Sequence, residues 1–460
     1  MPSPDPAQDL RDIFTAGLDR VDPYKMIMNR VRLEGDTLVV DMEDRRRLVP
    51  LSRFERILVL GGGKASARMA RAFEEILGGR ITGGLVVVKY GHTDRLERIE
   101  QMESGHPVPD ENGVRATRRL AELARGADGK TLVVTCISGG GSALMPSPLA
   151  WVVAGERIEL TLADKQETTR ALLACGADIG EINCLRKHLS GLKGGRLLRL
   201  LAPATSLNFI LSDVVGDSLQ TIASGITAAD ETTFGQALSI VRKYGIAGKL
   251  PEKVMTILTS GERGLIDETV KPGDPALALA DNILIGTNQA ALLAAGDKAR
   301  ALGYNVALLT CQLTGEAREA AKFQAAIASD ARASGLLAAS PACLLLGGET
   351  VVTLTGTGKG GRNQEMALAF LAEMDKDPRS GQGIYYLSAS TDGSDGPTDA
   401  AGAFATPELL QKAREKGMSM ASALADNDSY HFFEALGGLY KTGPTMTNVC
   451  DLHMILVVID

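Results

Sequence analysis

The chain has 460 residues, 45% hydrophobic and 23% charged, ordinary for a soluble globular protein and long enough that two domains are expected. Basic side chains number 49 and acidic ones 56, and the net charge of −7 disfavours a broad nucleic-acid-binding surface while leaving room for a local basic pocket. Aromatic residues make up only 4%, too few for the stacking platforms that single-stranded nucleic acid uses.

In chain order, the amino-terminal segment MPSPDPAQDLRDIF lacks the basic-then-apolar pattern of a secretory leader. No stretch reaches the ~18 apolar residues of a membrane helix, so a soluble, cytoplasmic protein is expected. RILVLGGGKASARMARAFEEIL reads as a strand, a glycine turn and an amphipathic helix. GGLVVVKYG is a second strand, TLVVTCISGGGSAL repeats the strand–glycine pattern, and SLNFILSDVVGD is a further strand ending in acids. Unbroken Val/Ile/Leu runs alternating with helices predict a parallel sheet covered on both faces. A long amphipathic stretch from Glu167 to Leu201 joins the last two strands and breaks near Gly194.

ETTFGQALSIVRKYGIAGKLPEKVMTILTSGE reads as two helices, and the domain boundary is placed at 245/246, giving domains 1–245 and 246–460. DNILIGTNQAALLAAGDKARALGYNVALLT then opens the second domain as strand, helix and strand. Back-to-back strands in ACLLLGGETVVTLTG, followed by YYLSAS and the closing HMILVVID, predict a mixed sheet. The six cysteines (136, 175, 184, 311, 343 and 450) form no C-x-x-C pair and predict buried free thiols in a reducing compartment. The five histidines show no zinc spacing, although His106 and His188 sit among other candidate site residues.

Several loops have the composition of ligand sites. Gly61-Gly62-Gly63-Lys64-Ala65-Ser66 combines a glycine turn at a helix start with a cation, an anion-binding pattern, but is neither a Walker A loop nor a complete dinucleotide fingerprint. Lys89 ends the next strand, where a dinucleotide ribose requires a carboxylate. A tight turn with a solvated lysine is the competing reading. Ser138-Gly139-Gly140-Gly141-Ser142 follows a buried strand, and anion or substrate binding is favoured there over covalent catalysis, because no G-x-S-x-G elbow is present. A structural turn is its alternative.

Asp213 and Asp217, two carboxylates at a strand end followed by Ala223-Ser224-Gly225, suit Mg²⁺ or a base for a substrate hydroxyl; helix capping competes. Gly356-Thr357-Gly358-Lys359-Gly360-Gly361-Arg362 matches G-x-G-x-x-G, but Lys359 and Arg362 suit a transferring phosphoryl group or a substrate carboxylate better than a dinucleotide. Asp392, Asp395 and Asp399 lie in an acidic glycine loop that is either a metal or nucleotide loop or a solvated turn.

Taken together, GGGKAS, GHPVPDENG, SGGGSAL, LRKHLSGLKGGRL, SDVVGD with ASGIT, IGTN, GGET, GTGKGGRNQE and STDGSDGPTDAAGA resemble, in this order, the glycerate 2-kinase family with a C-terminal MOFRL domain, whose members are often labelled hydroxypyruvate reductase. The resemblance implies two unlike three-layer α/β/α domains, the first Rossmann-like, with the site in a cleft between them. It implies ATP, Mg²⁺ and transfer to the 2-hydroxyl of D-glycerate, giving 2-phosphoglycerate. It implicates Lys64 and Arg362 in catalysis, and Asp213 joins them as a base or metal candidate beside Asp217.

The candidate substrate- and nucleotide-binding set is then Gly62, Gly63, Ser138, Gly139, Gly140, Gly141, Ser142, Lys187, Ser224, Asn288, Glu349, Lys359, Asp392 and Asp395. Val215 and Ile226 stand where the family usually has proline, which alters loop rigidity without removing a charge. Two other functions fit part of the pattern: an NAD(P)H-dependent reductase of hydroxypyruvate or tartronate semialdehyde, drawn from the Gly356 loop, and a non-catalytic sugar-phosphate or nucleotide-binding regulator. No nucleic-acid or membrane partner is expected; self-association is left open.

Overall fold

The computed structural model describes residues 5–42, 45–153, 155–376 and 381–459; the first four residues of the amino-terminal segment lie outside them. Its contacts separate into two compact units. One comprises Pro23–Ser212 and Asp217–Ile285; the other comprises Met1–Asp22, Asp213–Gly216 and Gly286–Asp460.

The first unit is built on a six-stranded sheet in the order Ala280–Gly286, Thr205–Leu211, Thr131–Ile137, Arg56–Gly62, Gly83–Lys89, Glu100–Ser104. From Thr205–Leu211 to Glu100–Ser104 every pairing is parallel, and Leu60 lies between Thr135 and Leu85. Every residue of Thr131–Ile137 is buried, as an unalternating apolar run requires when both faces are covered. Thr135 on this strand is paired inside the sheet, its Oγ1 donating to Asn208 Oδ1 at 2.9 Å. Helix Ser66–Leu77 buries Met69, Ala70, Phe73 and Leu77, with the Phe73 ring 4.7 Å from that of Phe209.

The stretch expected as one broken helix forms Leu162–Ala174, Ile179–His188 and Arg196–Leu201. The first two share a core with helices Phe234–Lys243 and Glu252–Glu262, through Leu172, Leu185, Phe234, Leu238, Val254 and Ile257. Residues 246–285 therefore pack within the first unit, whereas the sequence reading placed a single cut at 245/246. The strand Ala280–Gly286, read as opening the second domain, is an edge of the first sheet. An apolar strand does not encode which sheet it will join.

The second unit holds a sheet in the order Asn305–Leu313, Ala342–Gly348, Asp451–Val457, Ile384–Ser390, Gly402–Ala405, Leu439–Tyr440. Its first pairing is parallel and the other four antiparallel, so the sheet is mixed, as predicted. Helix Pro6–Arg20 belongs to this unit: Tyr304 donates to the buried Asp9 carboxylate at 2.7 Å, and the Phe14 ring meets Tyr440 edge-on at 5.3 Å. The two unlike α/β units match the expected fold class. All six cysteines are free thiols, and burial pushes Cys184 up to about 11. Among the described residues no helix is long and apolar enough to cross a membrane.

Candidate active site

In the first unit, the two glycine loops that follow neighbouring parallel strands are fastened to one another. Lys64 N donates to Gly139 O at 2.9 Å, Ala65 N to Ser138 Oγ at 2.9 Å, and Ser66 Oγ to Cys136 O at 2.9 Å. Gly63 has φ +148°, and a Cβ there would lie 2.1 Å from Ser138 Oγ, so glycine is required by close approach. The Gly61–Ser66 loop therefore does not present its amides to a ligand as the sequence suggested: those of Gly63, Lys64, Ala65 and Ser66 are already bonded within the protein. What it contributes is the Lys64 side chain.

The amides of Gly139, Gly140 and Ser142 make no hydrogen bond among the described residues. The second loop is thus the one with donors to spare. A Cβ on Gly140 would fall 3.0 Å from His106 Nε2 and 3.5 Å from Lys64 Cγ, so Lys64, His106 and the Ser138 loop are brought together. His92, which the sequence reading left without a role, has Nδ1 3.2 Å from Lys64 O and steadies that turn. Ser224 Oγ lies 2.8 Å from Ser142 Oγ. Ser224 and Ala223 are both left-handed (φ 58° and 49°) and buried, a strained conformation of the kind concentrated at ligand sites.

Lys187 belongs to a different arrangement. Its Nζ is 3.1 Å from Asp230 Oδ1 in a fully buried pair, and Asp230 also accepts from Thr232 and Thr269. This places Lys187 in the packing rather than among ligand donors. His188 is likewise buried, with Nδ1 2.8 Å from Cys184 O and Nε2 3.1 Å from Glu268. Burial works to raise the Glu268 carboxyl, but His188, the Phe234 amide and Lys271 outweigh it and hold it at about 2.

In the second unit, Arg362 begins the helix Arg362–Lys376. Its guanidinium is gripped by Asp451, through Nε and, at 2.9 Å, through Nη2, while Nη1 lies 2.9 Å from Glu349. Burial works against its charge, but Asp451 and Glu349 outweigh it and hold Arg362 firmly cationic. The Asp451 side chain is 0% exposed and that of Glu349 41%, so Asp451 is the buried partner of Arg362 and Glu349 the half-exposed one. Burial, then the charges of Glu349, Asp451 and Asp213, push the Cys450 thiol far up, which groups Asp213 with this cluster. Asp451 was missed by the sequence reading, because a single acid at the start of an apolar closing strand carries no motif.

The first part of the G-x-G-x-x-G match is packed against residues 426–428. The amides of Thr355 and Gly356 donate to Asn427 Oδ1, those of Thr357 and Gly358 to Asp426, and that of Lys359 to Asp428. The amides of residues 355–359 are therefore spent inside the protein, while those of Gly360, Gly361 and Arg362 make no hydrogen bond among the described residues. Lys359 directs its Nζ over the Tyr430 ring, 4.1 Å from the centroid.

Asp395, expected among ligand-binding residues, is 2% exposed and accepts from the amides of Asn363 and Gln364 at 3.1 and 2.9 Å. It caps the helix that carries Arg362, and burial raises its carboxyl to about 6. Asn288 is also internal: its Nδ2 donates to Val449 O and Asp451 O at 2.8 and 2.9 Å, fixing the segment that holds Arg362. Asp392 accepts from Ser390 Oγ and from Ser394 N, at 3.0 and 2.9 Å, and closes its own turn. Asp213 groups with the second unit and Asp217 (φ 54°) with the first. No group of three His, Cys, Asp or Glu side chains suited to a metal exists among the described residues. Mg²⁺ normally needs only one or two carboxylates, with water and phosphate oxygens completing its shell, and Asp213 and Asp217 are hard oxygen donors of that type.

Two family models match the sequence: a domain of unknown function, DUF4147, over residues 9–259, and the MOFRL family over residues 342–451. The chain is 37% identical to the glycerate 2-kinase of Pyrococcus horikoshii over 98% of both proteins. It is 40% identical to the D-glycerate 2-kinase of Thermotoga maritima, over 95% of this chain and 100% of that one. A relative in Agrobacterium vitis, 39% identical over 98% of this chain and 94% of its own, is provisionally named a hydroxypyruvate reductase. The crystal structure of the Thermotoga maritima glycerate kinase superposes with a TM-score of 0.82, at 37% identity over 98% of this chain and 99% of that one. The chain belongs to the glycerate 2-kinase family that carries a MOFRL domain, and it is an enzyme of that kinase class.

Proposed function

We propose that the protein transfers the γ-phosphoryl group of ATP to the 2-hydroxyl of D-glycerate, giving 2-phosphoglycerate and ADP. The observation that carries this reading is the Arg362 guanidinium, pinned by the buried Asp451 and paired on its other side with the half-exposed Glu349. Such a fork is prepared to exchange one carboxylate for the carboxylate or phosphoryl oxygens of a substrate. Lys64 supplies a second cation beside the unspent amides of the Ser138 loop.

In the proposed step the 2-hydroxyl oxygen bonds to the γ-phosphorus as the bond to the β–γ bridging oxygen breaks. Asp213 accepts the hydroxyl proton, and Lys64 and Arg362 offset the charge on the phosphoryl oxygens. Mg²⁺ carried by the nucleotide would supply further positive charge there, with Asp217 as its proposed protein ligand and Asp213 as the alternative if Asp213 is not the base. These assignments follow the family's chemistry, and the names of the Pyrococcus and Thermotoga relatives support the glycerate specificity.

A coupled assay of ADP release, with ATP and a panel of small hydroxy acids, tests the proposal. D-Glycerate is expected to give the highest kcat/KM and 2-phosphoglycerate as product. Oxidation of NAD(P)H by hydroxypyruvate, with no ADP from ATP and glycerate, would overturn it in favour of the reductase. The bonded amides of residues 355–359 weigh against that outcome.

A further inference from the structure

Arg186 and Lys193 lie in the LRKHLSGLKGGRL segment, and with Lys165 they form a cluster of basic side chains that the proposed mechanism does not use. Lys193 is 4% exposed, and its Nζ donates at 2.7 Å to both the carbonyl and the hydroxyl of Ser142, both neutral groups. Lys165 Nζ has Leu189 O at 3.1 Å as its partner. The Arg186 guanidinium makes no hydrogen bond or ion pair among the described residues, yet lies close enough for its charge to act on both lysines. Burial and these neighbouring cations push Lys193 well below the usual lysine range and Lys165 to about 7.

Nearby cations are treated differently. Lys187, adjacent to Arg186, has the buried Asp230 at 3.1 Å, and Arg199 has Asp274 at 2.8 Å. Arg196 spends its guanidinium on the carbonyls of Lys187, Ser190 and Asp267. The fold therefore supplies Lys187 and Arg199 with counter-charges, gives Arg196 and Lys193 only neutral oxygen partners, and leaves Arg186 with neither among the described residues. A buried basic group without an anionic partner is driven towards its neutral form, and an anionic ligand beside it restores the charge and gains a charge-assisted contact. Ser142, which Lys193 grips, also carries one of the unbonded amides and touches the strained Ser224.

We propose that Lys193 and Arg186, with Lys165 behind them, form an anion subsite beside the Gly139–Ser142 amides that takes the carboxylate or polyphosphate oxygens of a reactant. This depends on the phosphoryl-transfer reading only for the names of the two anions.

Full-length wild type, Lys193→Met and Arg186→Gln are compared in two ways. Steady-state rates are measured with ATP and D-glycerate varied separately, and isothermal titrations use D-glycerate and inorganic pyrophosphate as separate probes. Loss of a charge-assisted contact is expected to raise KM or Kd for the seated anion about ten- to a hundredfold, with the melting temperature unchanged or higher. A rise confined to glycerate assigns the carboxylate; a rise for ATP and pyrophosphate assigns the polyphosphate. Unchanged constants for every probe in a folded variant overturn the subsite. Arg186→Gln decides alone if Lys193→Met does not fold, because the guanidinium is half-buried and holds nothing else in place. If wild type turns over no glycerate but the variants weaken pyrophosphate binding, the subsite stands and the glycerate reading falls.

Discussion

At Arg362, charge and shape are separable. A lysine there would keep the positive charge but could not hold Asp451 through two nitrogens and Glu349 through a third, as Arg362 does. Arg362→Lys is expected to lower kcat by about a hundredfold, with far-ultraviolet circular dichroism unchanged. Lys64→Ala is expected to lower kcat by about a hundred- to a thousandfold, since the turn is held by backbone bonds that the substitution spares. A rate within twofold of wild type would remove Lys64 from the mechanism. Asp395 shows the opposite relation between motif and role: an acid in a glycine-rich loop that looks like a ligand donor is spent on the helix amides behind Arg362.

Among the loops, the same glycine-rich composition serves two purposes. Around Gly139–Ser142, unbonded amides remain at the carboxyl end of a parallel strand, the position at which open α/β sheets bind ligands. Around Gly356–Gly361, the glycines let the backbone press against Asp426–Ser429. A Cβ on Gly358 would sit 2.4 Å from that of Asp428 and 2.6 Å from Asp426 O. Gly358→Ala is accordingly expected to destabilise the protein by about 2–3 kcal/mol, measured by urea unfolding. It should lower activity as well, because the same loop leads directly into Arg362. An unchanged unfolding midpoint would show that this packing is easily relaxed.

For the molecule as a whole, the clearest link between structure and pH runs through Glu268. Its folded pKa of about 2 lies below the ordinary 4.5, so the stability it contributes is present above that ordinary value and is lost as pH falls towards 2. After discounting for its one-third exposure, the contribution at pH 7 is about 2 kcal/mol. Glu268→Gln should therefore lower the stability measured by denaturant unfolding at neutral pH, and the deficit should shrink as pH is lowered from 4.5 towards 2. A deficit independent of pH would mean that the glutamate acts through packing rather than charge.

Local pattern determined much of this protein. Unalternating Val/Ile/Leu runs specified buried strands, the glycine-and-cation loops specified where chemistry would gather, and the order of the motifs specified the family. What the tertiary structure decided was pairing, because hydrogen-bond partners far apart in sequence leave no local signal. Pairing placed Ala280–Gly286 in the first sheet and helix Pro6–Arg20 in the second unit. It supplied Arg362 with Asp451, closed the Gly356 amides against residues 426–428, and removed Lys187 to a buried pair with Asp230. It also placed Lys193, of the LRKHLSGLKGGRL segment, as a buried lysine bonded to Ser142. Residue type and spacing set which chemistry was available; the distribution of counter-charges set which of those residues remain open to a ligand.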